Sequence, residues 1–310
     1  MSRLDRGWST IKMSASSEET GTVRVRNIGA EVAVGDWVVF KDSLERVEKV
    51  LPRFSALIRR VSSEAMRAEH HAVAANIDTV FIVHSATNAS NQRRVERELV
   101  LVFDSGATPV LVLTKNDLQD APGHVFLLHE VAQVCGINCH VVSGLTGEGL
   151  AELANYGGNH RTVAVLGASG VGKSTLVNRL VGVDAQPVGD VRRTDQRGRH
   201  TTVAADLLSM PNGGWLIDTP GLRALNLWTS GHGIERAFAD IFKLADSCRF
   251  RDCKHQDEPS CAVRAAIDAG TLTIDRLENM RRLVDEEAAL EEEQKVRVRL
   301  SNRKGRRKIS

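Results

Sequence analysis

An apolar run feeding a G-x-x-x-x-G-K-S loop at 167–174, short alternating strands at 21–61, and three cysteines with one histidine inside 248–261 predict a multidomain chain. The expected order is an N-terminal small β-barrel, a central α/β P-loop domain and a C-terminal, mostly helical zinc-binding domain. The boundaries expected are 1–66 for the barrel, 72–228 for the α/β core, 229–293 for the zinc-binding domain, and 294–310 for a disordered basic tail. A hydrophobic fraction of 42% over 310 residues is enough for two or three cores. No apolar stretch reaches membrane-spanning length, and Met1 to Thr20 carries charges throughout with no apolar core. Neither an anchor nor a secretory signal is expected, which places the chain in a cytoplasmic, reducing setting.

The barrel is read from three pieces. Val23-Arg24-Val25-Arg26 alternates, Val32 to Phe40 turns at Gly35-Asp36 into a strand, and Arg46-Val47-Glu48-Lys49-Val50 alternates again. An oligonucleotide-binding barrel and a β-domain without a ligand fit this pattern equally, so Trp37 is as readily a core residue as a stacking platform.

From Asp78 strands and helices alternate, the pattern of a parallel sheet. Asp78 to Val83 is a strand. Arg94 to Phe103 is a helix with Val95, Leu99, Val102 and Phe103 inward and Arg93, Arg94, Glu96, Arg97 and Glu98 mostly outward. Pro109 to Leu113 is a buried strand ending in Thr114-Lys115-Asn116-Asp117. An Asp here can accept hydrogen bonds from the N1–H and exocyclic amine of guanine, which adenine does not offer in that arrangement. The Lys115 stem can cover the base face. Thr114 stands where such boxes usually carry Asn and keeps one hydroxyl donor. After the strand Cys139 to Val142, Ser143 and the following Gly-rich turn can face the guanine O6.

Arg161 to Leu166 is another buried strand, and Gly167-Ala168-Ser169-Gly170-Val171-Gly172-Lys173-Ser174-Thr175 follows it. Its glycines let the backbone wrap phosphate with N–H groups inward. Lys173 is assigned to the β- and γ-phosphates and Ser174 to magnesium. The helix starting there points its positive end at the anion. Trp215 to Ile217 is a fifth strand ending in Asp218-Thr219-Pro220-Gly221, with Asp218 on magnesium and the Gly221 N–H on the γ-phosphate. Between them, Arg192 to Thr202 is a basic stretch where a nucleotide-sensing switch belongs, and Thr201 or Thr202 can close on magnesium. An ordinary GTPase carries its guanine box after the other two motifs. Here it precedes them, so the chain reads as a circularly permuted GTPase binding GTP or GDP with Mg2+.

Cys248, Cys253, His255 and Cys261 form a Cys3His set, the composition of closed structural Zn2+ sites. Disulfides are the competing reading, disfavoured by the reducing setting. Cys135 and Cys139 are read as small hydrophobes. The net charge of +2 hides an asymmetry: 275–293 carries eight acidic side chains, and 294–310 carries eight Lys or Arg and no acid. Such a basic run fits contact with an RNA backbone.

Taken together, these residues resemble the bacterial ribosome small-subunit-dependent GTPase A family (RsgA/YjeQ). The resemblance runs from about Leu4 to Ile274. It includes Ala33 to Val38, Asn76-Ile77-Asp78, Arg197 to Thr202, and Phe250 to His255 followed by Glu258-Pro259. It implies an oligonucleotide-binding barrel, a permuted GTPase core and a zinc domain. It also implies binding to the 30S subunit and its 16S rRNA late in maturation, with hydrolysis stimulated by the subunit and coupled to release. Family roles carry over to Lys173, Ser174 and Asp218, and zinc ligation to Cys248, Cys253, His255 and Cys261. Met1 to Leu4 supplies less of the first barrel strand than family members have, so the expectation is an open barrel or a start further upstream.

Ras-like enzymes orient the attacking water with a Gln beside the D-x-x-G glycine. Here that position is Leu222, so another group must do it. His200 is the candidate within the chain, and a ribosome-supplied group is the alternative. A permuted GTPase acting on another ribosomal particle or RNA is the runner-up function. A non-catalytic RNA-binding scaffold and an ATP-dependent kinase are the readings from other classes. A monomer is expected, and no membrane partner.

Overall fold

The computed structural model describes residues 1–5, 7–13, 21–28, 31–41, 46–61, 69–87, 92–118, 123–182, 205–218 and 231–306. Five strands open the chain: β1 (Arg3–Asp5), β2 (Trp8–Met13), β3 (Gly21–Arg26), β4 (Val38–Lys41) and β5 (Arg46–Val50). They lie in the order β1-β2-β3-β5-β4, with β3 and β5 parallel and the other neighbours antiparallel. Alternation puts Ile11, Val25 and Val47 inside with Met1, a small core of its own. This is the strand order of a Greek-key sheet, and among the described residues no pairing joins β4 to β1.

The Gly35-Asp36 turn is held from inside. Buried Asp36 accepts from Arg53 Nε at 2.7 Å, Arg53 Nη2 at 2.8 Å and the Ala33 N–H at 2.7 Å. Trp37 is 65% exposed, so of the two sequence readings the core one is excluded. A separate hairpin follows, β6 (Ala56–Val61) and β7 (Glu69–Ala75), joined to the turn by a Val34–Ala74 bridge. β7 therefore occupies the stretch where the sequence suggested passage from barrel to core.

The core then alternates as expected. It runs β8 (Thr79–Ser85), α1 (Gln92–Asp104), β9 (Thr108–Thr114), α2 (Gly123–Val134), β10 (Cys139–Val141), α3 (Leu150–Ala154), β11 (Thr162–Gly167), α4 (Lys173–Val181), β12 (Asp206–Ser209) and β13 (Trp215–Asp218). Parallel pairing gives the order β10-β9-β8-β11-β13. Successive β8 residues serve opposite faces. Val80 and Ile82 pack with α1 and α2, while Phe81 and Val83 pack with α4. β12 is antiparallel to β13, and its other edge meets β1 at Arg3–Asp206, so core and N-terminal strands share one eleven-stranded sheet.

The chain ends in α5 (His232–Ala237), α6 (Ala239–Ala245), α7 (Ala262–Asp268) and α8 (Ile274–Arg306). Their apolar faces, with Ile234, Phe238, Ile241, Val263, Leu277 and Leu283, continue the cluster that α1 builds with Val95, Leu99 and Phe103. This junction corrects the reading of α1, because Glu96 and Glu98 are buried rather than outward. Glu96 accepts from Arg276 Nη1 at 2.7 Å and from Asn279, and Glu98 accepts from His84 Nε2 at 2.7 Å and Arg94 Nε at 2.9 Å.

Residues 294–306, expected as a disordered tail, are the continuation of α8. A Lys295–Glu291 pair at 3.4 Å joins the basic run to the acidic one, and cations near a helix C-terminus suit its dipole.

Candidate nucleotide site and metal centre

In a parallel sheet ligands bind beyond the carboxyl ends of the strands, where the strand order reverses. Here the reversal falls between β8, from which the chain proceeds to β9 and β10, and β11, beside which it proceeds to β13. All the sequence-predicted nucleotide motifs in the described residues sit at those ends.

β11 runs directly into the loop. Gly167 has φ 152°, and a Cβ there would lie 2.3 Å from the Val83 carbonyl oxygen, so only glycine lets the chain leave β11 against β8. Gly172, at φ 96°, caps α4 in the left-handed conformation, and Lys173 opens the helix. Lys173 Nζ folds back over the loop to donate to the Ala168 carbonyl. Ser174 and Thr175 occupy the first turn, whose free N–H groups and dipole favour an anion.

β9 ends at Thr114, whose buried hydroxyl lies 3.1 Å from the His84 carbonyl and closer still to that of Val171. One proton serves two acceptors, and the shorter contact ties the guanine box to the phosphate loop. Lys115 then takes φ 62°, a left-handed conformation costing a non-glycine residue about 1–3 kcal/mol. That bend begins the turn Asn116–Leu118. The Ser143 hydroxyl donates to Asp117 Oδ1 while accepting from the N–H groups of Leu145 at 3.2 Å and Thr146 at 3.1 Å. Ser143 thus holds the Asp117 carboxylate in place.

Two supports were not read from sequence. Arg179 on α4 donates to the carbonyls of Gly144 at 2.9 Å and Leu145 at 3.0 Å, and Asn116 donates to Glu148 at 3.1 Å. An exposed arginine in a helix and a glutamate in a turn carry no sequence signal that separates them from solvated charges. Asp218 ends β13, buried at 7% exposure, beside Val165 of β11. Gly167, Ala168, Ser169, Gly170, Val171, Gly172, Lys173, Ser174 and Asp218 are therefore assembled at neighbouring strand ends, with Thr114, Lys115, Asn116, Asp117 and Ser143 alongside. The donor set fits a nucleotide with magnesium: backbone N–H groups and an ammonium for phosphate, a hydroxyl and a carboxylate for the cation. His200, Thr202, Gly221 and Leu222 lie outside the described residues.

The second cluster lies between α6 and α7. One ligand atom from each of Cys248, Cys253, His255 and Cys261 falls within 4.8 Å of the others. Cys248 Sγ is 3.8 Å from Cys261 Sγ and 3.6 Å from His255 Nδ1, and Cys261 Sγ is 3.4 Å from His255 Nδ1. A tetrahedron with zinc–sulfur bonds of about 2.3 Å and a zinc–nitrogen bond of about 2.0 Å has edges of about 3.5–3.8 Å, so the spacing fits zinc. A disulfide, with sulfurs about 2.05 Å apart, is excluded for this Cys248–Cys261 geometry.

The loop is fixed around these ligands. Glu258 accepts from the N–H groups of Lys254 at 2.9 Å and Gln256 at 2.7 Å, and Arg281 of α8 donates to the carbonyls of Lys254 at 2.7 Å and His255 at 2.8 Å. Burial, followed by the Arg281 charge, lowers the His255 pKa against the opposing pull of Glu258, favouring the neutral ring that ligates metal. Burial pushes the Cys135 and Cys139 thiols up to about 11, in keeping with inert apolar packing. Replacing Cys248 with serine is expected to abolish zinc retention on dialysis, read by metal analysis. The wild type should also lose metal progressively as pH falls, because protons compete for the thiolates.

Comparison with known proteins gives the same outline. The family model described as RsgA GTPase matches residues 50–228, and one described as 50S ribosome-binding GTPase matches 162–295. A relative from Streptomyces coelicolor named small ribosomal subunit biogenesis GTPase RsgA is 43% identical over 279 residues, covering 88% of this chain and 75% of the relative. One of the same name from Methanosarcina acetivorans is 41% identical, covering 84% and 71%. Among solved structures, YjeQ from Thermotoga maritima superposes with a TM-score of 0.62 at 25% identity, over 90% of this chain and 98% of that one. YloQ, described as a circularly permuted GTPase, gives 0.64 at 22% identity over 93% of each chain, a likeness of fold. Among the described residues no helix is long and apolar enough to cross a membrane.

Proposed function

The chain belongs to the RsgA GTPase family, and from that membership we propose how a GTPase of small-subunit biogenesis uses this site. It docks on the 30S subunit late in assembly, contacts 16S rRNA, hydrolyses GTP when the subunit stimulates it, and leaves on hydrolysis. It does so as a cytoplasmic monomer. The observation that carries the reading is the meeting of two motifs far apart in sequence: the Thr114 hydroxyl bonds the Val171 carbonyl while the Ser143 hydroxyl bonds Asp117.

In this reading Asp117 selects guanine, Lys115 covers its face, and the N–H groups of the 167–174 loop hold the phosphates. Lys173 exchanges the Ala168 carbonyl for phosphate oxygens. Ser174 and Asp218 are the residues that would hold magnesium, which neutralises charge on the phosphates. Thr202 and Gly221 are proposed to complete the γ-phosphate contacts. His200 or a ribosomal group positions the water, since Leu222 has no polar atom to do so. The zinc cluster is structural, because its four protein ligands leave no open position for chemistry.

Asp117→Asn provides a sharp check on the base assignment. An asparagine amide donates where the carboxylate only accepts, so it mismatches the guanine amine and matches the carbonyl of xanthine. GTP binding should fall about 100-fold, and XTP should become the better nucleotide in a competition titration. Turnover of GTP and ATP, alone and with isolated 30S, 50S and 70S particles, tests the whole reading. Strong stimulation by 30S with little ATP use is the expected result. Stimulation by 50S alone would favour the large-subunit alternative, and tight GTP binding without turnover would favour a scaffold.

A further inference from the structure

The zinc loop carries an aromatic side chain that neither the metal nor the core uses. Phe250 lies two residues beyond Cys248, is 40% exposed, and is absent from the apolar clusters that absorb Cys248, Cys253 and Leu244. Exposed Arg249 and Arg251 flank it, with exposed Lys254 beyond. The Arg249 guanidinium lies 5.5 Å from the Phe250 ring centroid. Among the described residues no acidic side chain forms an ion pair with Arg249, Arg251 or Lys254.

The acids in the same loop are occupied elsewhere or carry no contact with these cations. Glu258 is spent on the N–H groups of Lys254 and Gln256, and Asp257 faces Arg264 at 3.7 Å. Asp252 is exposed. The turn that presents the ring is tied down by hydrogen bonds. The Cys253 N–H donates to the Phe250 carbonyl at 3.3 Å, the Arg249 N–H donates to the Ser260 carbonyl at 3.4 Å, and the backbone around His255 is held by Arg281 and Glu258.

We propose that Phe250, with Arg249, Arg251 and Lys254 around it, is a stacking site for an unpaired RNA base. An aromatic face binds a base by stacking without regard to its identity, and guanidinium and ammonium groups beside it take the adjoining phosphates. A mostly immobile loop loses little side-chain freedom on binding, which favours this turn over a flexible tail. The proposal deepens the small-subunit reading and rests on it for the source of the RNA.

Two kinds of contact leave different signatures. Losing the stack lowers affinity without changing how binding responds to salt. Losing a phosphate contact also flattens the salt dependence. The experiment compares wild type, Phe250→Ala, Phe250→Tyr and Arg251→Ala, each checked for zinc content and for GTP turnover without subunits. Binding is measured to 30S subunits and to a short single-stranded oligoribonucleotide over a range of salt.

The expected result is about 10-fold weaker binding to both probes for Phe250→Ala at an unchanged salt slope. Phe250→Tyr should bind nearly as wild type, and Arg251→Ala should show a slope smaller by about one. Wild-type binding to 30S that Phe250→Ala leaves intact, with zinc retained, overturns the stacking site but not the subunit reading. Oligoribonucleotide binding that depends on Phe250 without any 30S binding supports the stacking site and overturns the subunit reading. Phe250-dependent binding to 30S without any oligoribonucleotide binding points to a ribosomal protein and overturns the RNA assignment.

Discussion

Arg276→Ala is expected to lower the unfolding free energy by about 3–5 kcal/mol, measured by urea denaturation of the full chain. Arg276 is 7% exposed, and every nitrogen of its guanidinium is engaged: Nη1 on Glu96 at 2.7 Å, Nε on Asp240 at 2.8 Å, and Nη2 on Asp240 at 2.7 Å and the Ala237 carbonyl at 2.8 Å. Its plane also lies over Phe238, 4.9 Å from the ring centroid. Burial opposes its charge, but the carboxylates of Asp240 and Glu96 outweigh that cost and raise its pKa, so it stays protonated at any pH where the chain folds.

Removing it strands Glu96, 1% exposed, with the side-chain amides of Asn279 and Gln92 as its remaining donors. An unpaired buried carboxylate costs more than the pair contributed. The double variant Glu96→Leu, Arg276→Met should therefore be milder than Arg276→Ala. A double variant as damaging as the single one would place the loss in packing rather than in the stranded charge.

Lys173→Ala is the substitution with the largest expected effect on activity. The ammonium is the single flexible cation of the phosphate loop, and charge on the transferred phosphoryl group must be met by preplaced positive groups. Deleting such a donor costs about 100- to 1,000-fold in kcat for GTP. The fold should survive, because Lys173 is half-buried at a helix start and its Nζ bonds the neighbouring loop carbonyl of Ala168. Full turnover by Lys173→Ala, with or without 30S, would remove the loop from the chemistry. Lost turnover together with a lowered Tm would instead assign Lys173 a structural share.

The elements that positioned the site were legible where one short segment carried its own information. The apolar run Val80 to Val83 identified a central strand without any partner being known, and every position of Thr79–Ser85 is buried. Thr114 was read as keeping one donor, and that donor is the clamp on the phosphate loop. The zinc ligands were legible because four soft donors within fourteen residues have few other uses.

What sequence hid were pairings across distance. Glu96 and Glu98 read as solvated because nothing near them in sequence reveals Arg276 or His84, each of which neutralises or bonds one of them in the interior. The basic run after 294 read as disordered from composition alone, yet helix propagation from a docked segment costs little once α8 is nucleated on α1. The pairing of β12 with β1 depends on an edge contact between segments some 200 residues apart, which no local pattern encodes.

The strand order also sets a timetable for a chain emerging from its own synthesis. Of the parallel core, β8, β9 and β10 are made first and can pair at once, as a small sheet already carrying Asp117 and Ser143. One edge of β8 then stands open until β11 arrives, and at about 5–20 residues per second the wait for the phosphate loop lasts roughly several seconds. During that interval a nascent chain can present the base-reading corner but has no means of holding a phosphate. Nucleotide can therefore stabilise the domain only after β11 has paired with β8, so capture of GTP follows formation of the β8–β10 sheet rather than guiding it.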